Sequence, residues 1–504
     1  MSITLRVFTD LAQNAIDPRL YGNFIEHLGR AVYTGIYEPG HPEADARGFR
    51  QDVLKLIHEL DVPMVRYPGG NFVSAYDWED GVGPAAQRPR RLDYAWGVTE
   101  TNQFGTNEFM EWCKAAKTEP MMAFNLGTRG IDAARQLVEY CNAPAGSKFG
   151  DLRKAHGYAE PHAVRTWCLG NEMDGPWQTG RKTAVEYGRL ANETANALRQ
   201  FDPKLELIAC GSSGPLMPEF PDWERVVLEH CYANVDALSI HLYVREDGHK
   251  SLADYLACPA QMEHQIRDVL AACDFVKAKQ RHKKTMMLSF DEWNVWDMAK
   301  GNETFARWAT APRQLENIYT FADALVVAGM LLVLLRHSGR VRYACMAQLV
   351  NVIAPIMTSP GGAAWRQTIF HPLRQASRHG RGVLLPSHLT GASSSDTPTH
   401  GPSPDVEALA TRDGDHVSVF ILHRGQTAPA ALTLRLDDGA SRWRVVGHEV
   451  LANPGDVHAV NTEQAPETVA PRQVTDTHVA PDGTVSLSLP PLSWHVLRLA
   501  PAGA

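Results

Sequence analysis

A chain of 504 residues, 44% hydrophobic and 21% charged, can bury a large core and is too apolar to be a disordered polymer. Its formal net charge of -8 and pI of 6.2 repel polyphosphates, so nucleic acid is excluded as a partner class. Three domains would follow from ~150 residues per domain, but an eight-stranded barrel overruns that prior, so two fit equally well.

Along the chain, strand-like apolar runs recur at Leu20–Ile25, Pro63–Tyr67, Met121–Leu126, Val164–Leu169, Leu205–Cys210, Ala237–Leu242, Thr285–Phe290 and Tyr343–Leu349. Between them the period lengthens. In Phe49–Leu60 the apolar Phe49, Val53, Leu56, Ile57 and Leu60 share one helical face, as Phe109, Trp112, Cys113 and Ala116 do further on. Gln314–Arg336 reads as one long, mostly apolar helix. Strands alternating with helices imply parallel strands joined by crossovers, and the expected closure is a (β/α)8 TIM barrel over residues 16–375. An open doubly wound sheet would want a Gly-rich phosphate loop after its first strand, and Tyr21-Gly22-Asn23-Phe24 is not one.

Beyond residue 375 the pattern changes. Gly391–Pro404, rich in Ser, Thr, Pro and Gly, reads as a flexible loop. The runs Val417–Leu422, Leu432–Leu436 and Thr484–Leu489 alternate with period two and are divided by turn signals such as Asp437-Asp438-Gly439. Residues 376–504 are therefore expected to form an all-β, jelly-roll-like sandwich, with residues 1–15 joining it through Ile3–Phe8.

The eight cysteines are scattered without a CxxC pair, which argues for buried thiols in a reducing compartment. MSITLRVFTD shows no secretory signal, and Ala324–Leu335 is too short to span a bilayer. The expectation is a cytoplasmic protein without a membrane partner.

Active sites of such barrels lie where strands end, so polar residues there come first. The fourth run meets Gly170-Asn171-Glu172 and the seventh meets Asp291-Glu292-Trp293-Asn294. Each puts a carboxylate directly after a buried strand, three strands apart around the ring. Two facing carboxylates suit glycosidic cleavage: one protonates the leaving oxygen and the other attacks the anomeric carbon, with retention if they lie ~5–5.5 Å apart. The alternative is structural, with Glu172 capping a helix or pairing with an arginine and Glu292 a surface acid.

Leu169-Gly170-Asn171-Glu172-Met173-Asp174-Gly175-Pro176-Trp177-Gln178 resembles the acid/base segment of the glycoside hydrolase family 51 α-L-arabinofuranosidases. Four further segments resemble the same family in the same order: Tyr21 to Arg30, Arg66-Tyr67-Pro68-Gly69-Gly70-Asn71-Phe72, Asp291 to Asn294, and Ala347-Gln348-Leu349-Val350-Asn351. The resemblance implies that Glu172 is the acid/base and Glu292 the nucleophile. It implies that Asn171 bonds the sugar's 2-hydroxyl while Glu26, Asn71 and Gln348 bind other hydroxyls. Tyr243 would hydrogen-bond near the nucleophile with His241 alongside, Arg66 would keep Glu292 ionised, and Trp96 and Trp296 would wall the pocket. Arg66 could instead bridge strands, His241 could be a core histidine, and the tryptophans could be packing residues. The substrates implied are arabinofuranosyl oligosaccharides from arabinan or arabinoxylan, attacked from the non-reducing end without metal or other cofactor. A homo-oligomer, such as a hexamer, is implied too. Asn23 stands where the family leads us to expect histidine, Val333 replaces a polar residue, and Ile240-His241-Leu242-Tyr243 is an unusual variant.

Three other readings stay open. β-Xylosidase or endoglucanase action would use the same scaffold. A metal-dependent barrel enzyme would need Glu26, Glu172 and Glu292 to converge on a divalent ion. A carbohydrate-binding protein without catalysis would not need two opposed acids.

Overall fold

The computed structural model describes residues 3–437, 443–453 and 455–502. Asp438 and Gly439 of the expected turn lie outside the described residues. Eight parallel strands close into a barrel: β1 (Gly22–Phe24), β2 (Met64–Tyr67), β3 (Glu119–Ala123), β4 (Thr166–Leu169), β5 (Glu206–Cys210), β6 (Ala237–Val244), β7 (Met287–Val295) and β8 (Val341–Ala347). Neighbours in the ring are neighbours in sequence, and β8 returns to pair with β1 through Cys345–Gly22. Every one of the eight expected runs supplies a barrel strand. They read as continuous apolar runs because a barrel strand is covered by side chains inside and by helices outside.

The helix Gln51–Leu60 shows how the outer ring is held. Val53, Leu54, Leu56, Ile57 and Leu60 are buried against the barrel, and Asp61 ends the helix in the left-handed region at φ 57°. The long apolar helix is shorter than expected, running only from Phe321 to Arg336. Thr320 and Asp323 cap each other's backbone N–H groups and fix the start there. Residues 314–319 form a loop instead, with Leu315 at φ 52° and the Gln314 amide donating to the Trp96 carbonyl. From Phe321 to Leu335 every residue is buried, Val333 included, so an apolar side chain fits that position. Among the described residues, no helix is long and apolar enough to cross a membrane.

The strand Ile3–Phe8 pairs parallel with Ala430–Asp437 and antiparallel with Ser387–Thr390. With Thr484–Leu489 these make a four-stranded sheet. A second sheet of seven strands is centred on His416–His423 and Ser493–Pro501. Ile3, Leu5, Val7, Leu432 and Leu434 of the first sheet share a core with Val417, Val419, Leu497 and Leu499 of the second, which is the sandwich. Contact with the barrel includes polar links, among them Arg336–Glu407, Arg374–Glu449 and Trp494 Nε1 to Gln375 Oε1. All eight cysteines are free and buried.

Gly391–Pro404 is not the flexible loop that its composition suggests. Ser394–Thr397 and Gly401–Pro404 pair as an antiparallel hairpin. Its tip is pinned to the barrel by Asp254, which accepts from Thr399 N at 2.8 Å and Thr399 Oγ1 at 2.7 Å. Two hydrogen bonds to a carboxylate are worth ~1.5–3 kcal/mol each. Asp254→Ala should therefore speed subtilisin cleavage within residues 391–404 about tenfold or more, read by gel and mass spectrometry. Equal cleavage rates would show that the hairpin is held by something else.

Candidate active site

The barrel mouth gathers side chains from six of these strand ends. On β6, Ser239, His241 and Tyr243 alternate with Leu238, Ile240 and Leu242, so the polar set shares the inner face. On β7 the strand does not stop before Asp291, as the sequence suggested, but continues to Val295. Ser239 pairs with Ser289 and His241 with Glu292, so two steps on β6 match three on β7. The register against β8 shifts in the same place, between Phe290 and Trp293. This bulge lets the consecutive Asp291 and Glu292 both turn inward, where a regular strand would send them to opposite faces.

Glu292 is held by two donors: Arg66 Nη1 at 2.7 Å on Oε1 and Tyr243 OH at 2.9 Å on Oε2. The same guanidinium donates from Nη2 to Asn171 Oδ1 at 2.6 Å, and its Nε lies 3.5 Å from Asp291. Phe24 lies under its plane at 4.8 Å. Glu172 turns into the mouth through an unusual backbone, with φ 43°. Its Oε1 meets His241 Nδ1 at 2.9 Å, and its Oε2 accepts from Trp177 Nε1 at 2.6 Å. His241 Nε2 lies 3.1 Å from Asp291 Oδ1, which also accepts from Ser239 Oγ at 2.5 Å. One ligand atom each from Glu172, His241 and Glu292 lie within 4.8 Å of one another.

The electrostatics follow from this packing. Burial raises Glu172 above its usual 4.5, and the charge of Glu292 adds to the rise while His241 opposes it. Burial works against the imidazolium of His241, yet Glu292, Asp291 and Glu172 together push it up to about 10. Burial likewise opposes ionisation of Asp291, but Arg66 and His241 hold it down at about 2.

On the opposite wall, Glu26 Oε1 accepts from Phe72 N and Trp96 Nε1, both at 2.9 Å. Gln348 Oε1 accepts from Glu26 N at 2.9 Å. A β-carbon on Gly70 would come within 2.5 Å of Glu26 Oε2, so only glycine lets this loop pass the carboxylate. Asn71 follows it, half-buried, at the start of the 3-10 helix Asn71–Ala75. Trp296 is half-buried and meets Tyr243 edge to face at 5.1 Å. The structure thus brings the eleven sequence-derived site residues to the barrel mouth. Among the described residues it is His241, not Glu26, whose ligand atom converges with those of Glu172 and Glu292. Both oxygens of Glu292 already carry donors.

Several contributing residues were not singled out from sequence. Asp291 was hidden because alternation allows one of two neighbours inside. Nothing in the sequence marks Trp177 as the hydrogen-bond partner of Glu172. His27 was also passed over: its Nδ1 lies 2.7 Å from Glu100 Oε2 and its Nε2 2.6 Å from Tyr67 OH. That pair ties the hairpin carrying Trp96 to the loop carrying Glu26. No local signal marks a partner 73 residues away. Asn23 is buried in β1 with neither side-chain atom hydrogen-bonded, and nothing in the structure explains it.

Residues 56–256 match the α-L-arabinofuranosidase 1 domain model, and residues 291–493 match the α-L-arabinofuranosidase C-terminal domain model. The chain is 51% identical to an intracellular exo-α-(1→5)-L-arabinofuranosidase of Halalkalibacterium halodurans, covering 99% of each. It is 45% identical to an exo-α-(1→6)-L-arabinofuranosidase of Bifidobacterium longum, covering 98% of this chain and 97% of the relative. The solved structure of AbfB, a family 51 α-L-arabinofuranosidase of Bifidobacterium longum, superposes with TM-score 0.93 at 42% identity, covering 98% of this chain and 99% of that one. Fold and site define a barrel glycosidase. The chain belongs to the family 51 α-L-arabinofuranosidases.

The buried Glu26 gives a test. Burial, with the charge of Glu292 adding to it, raises its pKa to about 8, partly offset by the bonds from Phe72 and Trp96. The folded state binds this proton more tightly than the unfolded chain, whose carboxylate titrates near 4.5. Stability from this group is therefore full below pH 4.5 and lost as pH rises to 8. Glu26→Gln avoids that loss, so its Tm relative to the native enzyme should climb steadily across this range. Its kcat/KM on arabinofuranosides should fall roughly 10- to 100-fold. A Tm difference independent of pH would show that Glu26 is not buried as described.

Proposed function

We propose that this enzyme removes terminal non-reducing α-L-arabinofuranosyl residues from arabino-oligosaccharides by double displacement. The observation that carries the reading is the facing pair at the barrel mouth. Glu292 is gripped by Arg66 and Tyr243, and Glu172, whose pKa burial raises, has an oxygen within 4.8 Å of it. In the first step Glu292 attacks the anomeric carbon while Glu172 gives its proton to the departing glycosidic oxygen. The C–O bond breaks and a glycosyl ester of Glu292 forms. Esterification removes the charge of Glu292, so Glu172 becomes a stronger acid once it has given up its proton and is left as the carboxylate. It then takes a proton from water, which attacks the same carbon and releases arabinose.

Asn171, fixed by Arg66, takes the 2-hydroxyl, a contact that strengthens as positive charge develops at the anomeric carbon. Glu26, Asn71 and Gln348 take the remaining hydroxyls, with Trp96 and Trp296 as walls. Tyr243 and Arg66 orient the nucleophile, and His241 orients the acid. The names of the two relatives support exo action on (1→5) or (1→6) linkages, and one of them is intracellular. Short imported oligosaccharides cleaved in the cytoplasm by a homo-oligomer are the setting we favour.

The two carboxylates are separated by azide. Glu172→Ala should lower kcat/KM on arabino-oligosaccharides about 10²–10⁴-fold, with less damage to glycosylation by 4-nitrophenyl α-L-arabinofuranoside, whose phenolate needs no proton. Azide needs no base, so it should restore turnover and give the α-azide. Glu292→Ala should lose activity on both substrates, and azide should give the inverted β-azide. Swapped azide stereochemistry would reverse the assignment.

A further inference from the structure

At the barrel rim, away from the catalytic pair, two histidines face each other across separate pieces of chain. His249 follows the turn after β6, and His400 sits at the tip of the hairpin 394–404. Their Nε2 atoms are 3.1 Å apart. His249 Nδ1 lies 2.8 Å from the Arg245 carbonyl. A carbonyl can only accept, so the His249 proton is on Nδ1 and its Nε2 presents a lone pair toward His400. This second bond, from the far ring nitrogen to a carbonyl, is the arrangement that orients metal-bound histidines. Two imidazoles on one tetrahedral ion, each ~2.0–2.1 Å from it, have their nitrogens about 3.3 Å apart. The observed gap already matches that bite.

The surroundings fit a small cation as well. Asp254 anchors the hairpin through Thr399, next to His400, and places a carboxylate charge beside the pair. Both rings are half-buried, so one side stays open to water or a further ligand.

We propose that His249 and His400 form a binding site for a borderline divalent transition metal, of the Zn²⁺ or Ni²⁺ type, that clips the hairpin to the barrel. Imidazole pairs suit these ions, whereas Mg²⁺ and Ca²⁺ want oxygen ligands. The site takes no part in glycosidic cleavage.

The test is calorimetric titration of the EDTA-treated full-length enzyme with ZnCl₂ and NiCl₂, beside His249→Ala and His400→Ala. A set of sites matching one metal per chain should lose affinity at least tenfold in each variant. Metal should slow subtilisin cleavage of the hairpin in the native enzyme only. The cluster of Glu172, His241 and Glu292 is a second place for metal to land, so inhibition of hydrolysis is followed in parallel. Titrations identical in native and variant proteins, or binding that tracks inhibition alone, would overturn the proposal and leave the pair as a plain hydrogen bond.

Discussion

Three carboxylates, Glu172, Asp291 and Glu292, are buried at one barrel mouth with two cationic side chains, Arg66 and His241, between them. The rest of the site depends on how that charge is shared. Removing one partner of a buried ion pair costs roughly 3–5 kcal/mol, because it strands the other charge away from water. Arg66 meets Glu292, Asn171 and the edge of Asp291 with one rigid fork, a geometry that lysine could not offer. His241 takes the other side and lies against all three carboxylates. The two glutamates are thereby made unlike. Glu292 takes the guanidinium of Arg66, whereas Glu172 has only His241 and Trp177 to set against burial and the charge of its neighbour.

The β7 bulge is what allows this density. By placing Asp291 and Glu292 on the same inner face, it sets a permanently ionised carboxylate directly behind the reactive one. The first anchors Ser239 and His241, and the second keeps its attacking oxygen toward the pocket. An uninterrupted strand could supply one of them and no more. The same site keeps Glu26 buried at a cost in stability, which is common where chemistry needs a charge in a dry place.

Much of this was legible in the sequence. Eight apolar runs gave the barrel because both faces of each strand are covered. Glu172 and Glu292 stood out because each follows such a run. Local patterning could go no further. Tyr243, Gln348 and Arg66 look like ordinary barrel residues, and only the resemblance to a known family gave them expected roles. The misreadings have physical causes. Residues 314–319 carry a helix-like pattern, but Thr320 caps the helix after them. The segment 394–404 has loop composition, yet Asp254, some 145 residues earlier, supplies the partner that orders it. Asp291 was masked by strand alternation, which the bulge breaks.

The central claim is that Glu292 lies close enough to Glu172 to attack the sugar itself, without a water between them. Inverting pairs stand ~6.5–9.5 Å apart to admit that water. Here an oxygen of each lies within 4.8 Å of the other. Proton NMR during the first turnovers of 4-nitrophenyl α-L-arabinofuranoside, before the released sugar mutarotates, reads the outcome directly. The α-anomer of arabinofuranose should accumulate first. If the β-anomer comes first, water has attacked in line and Glu292 is not the nucleophile.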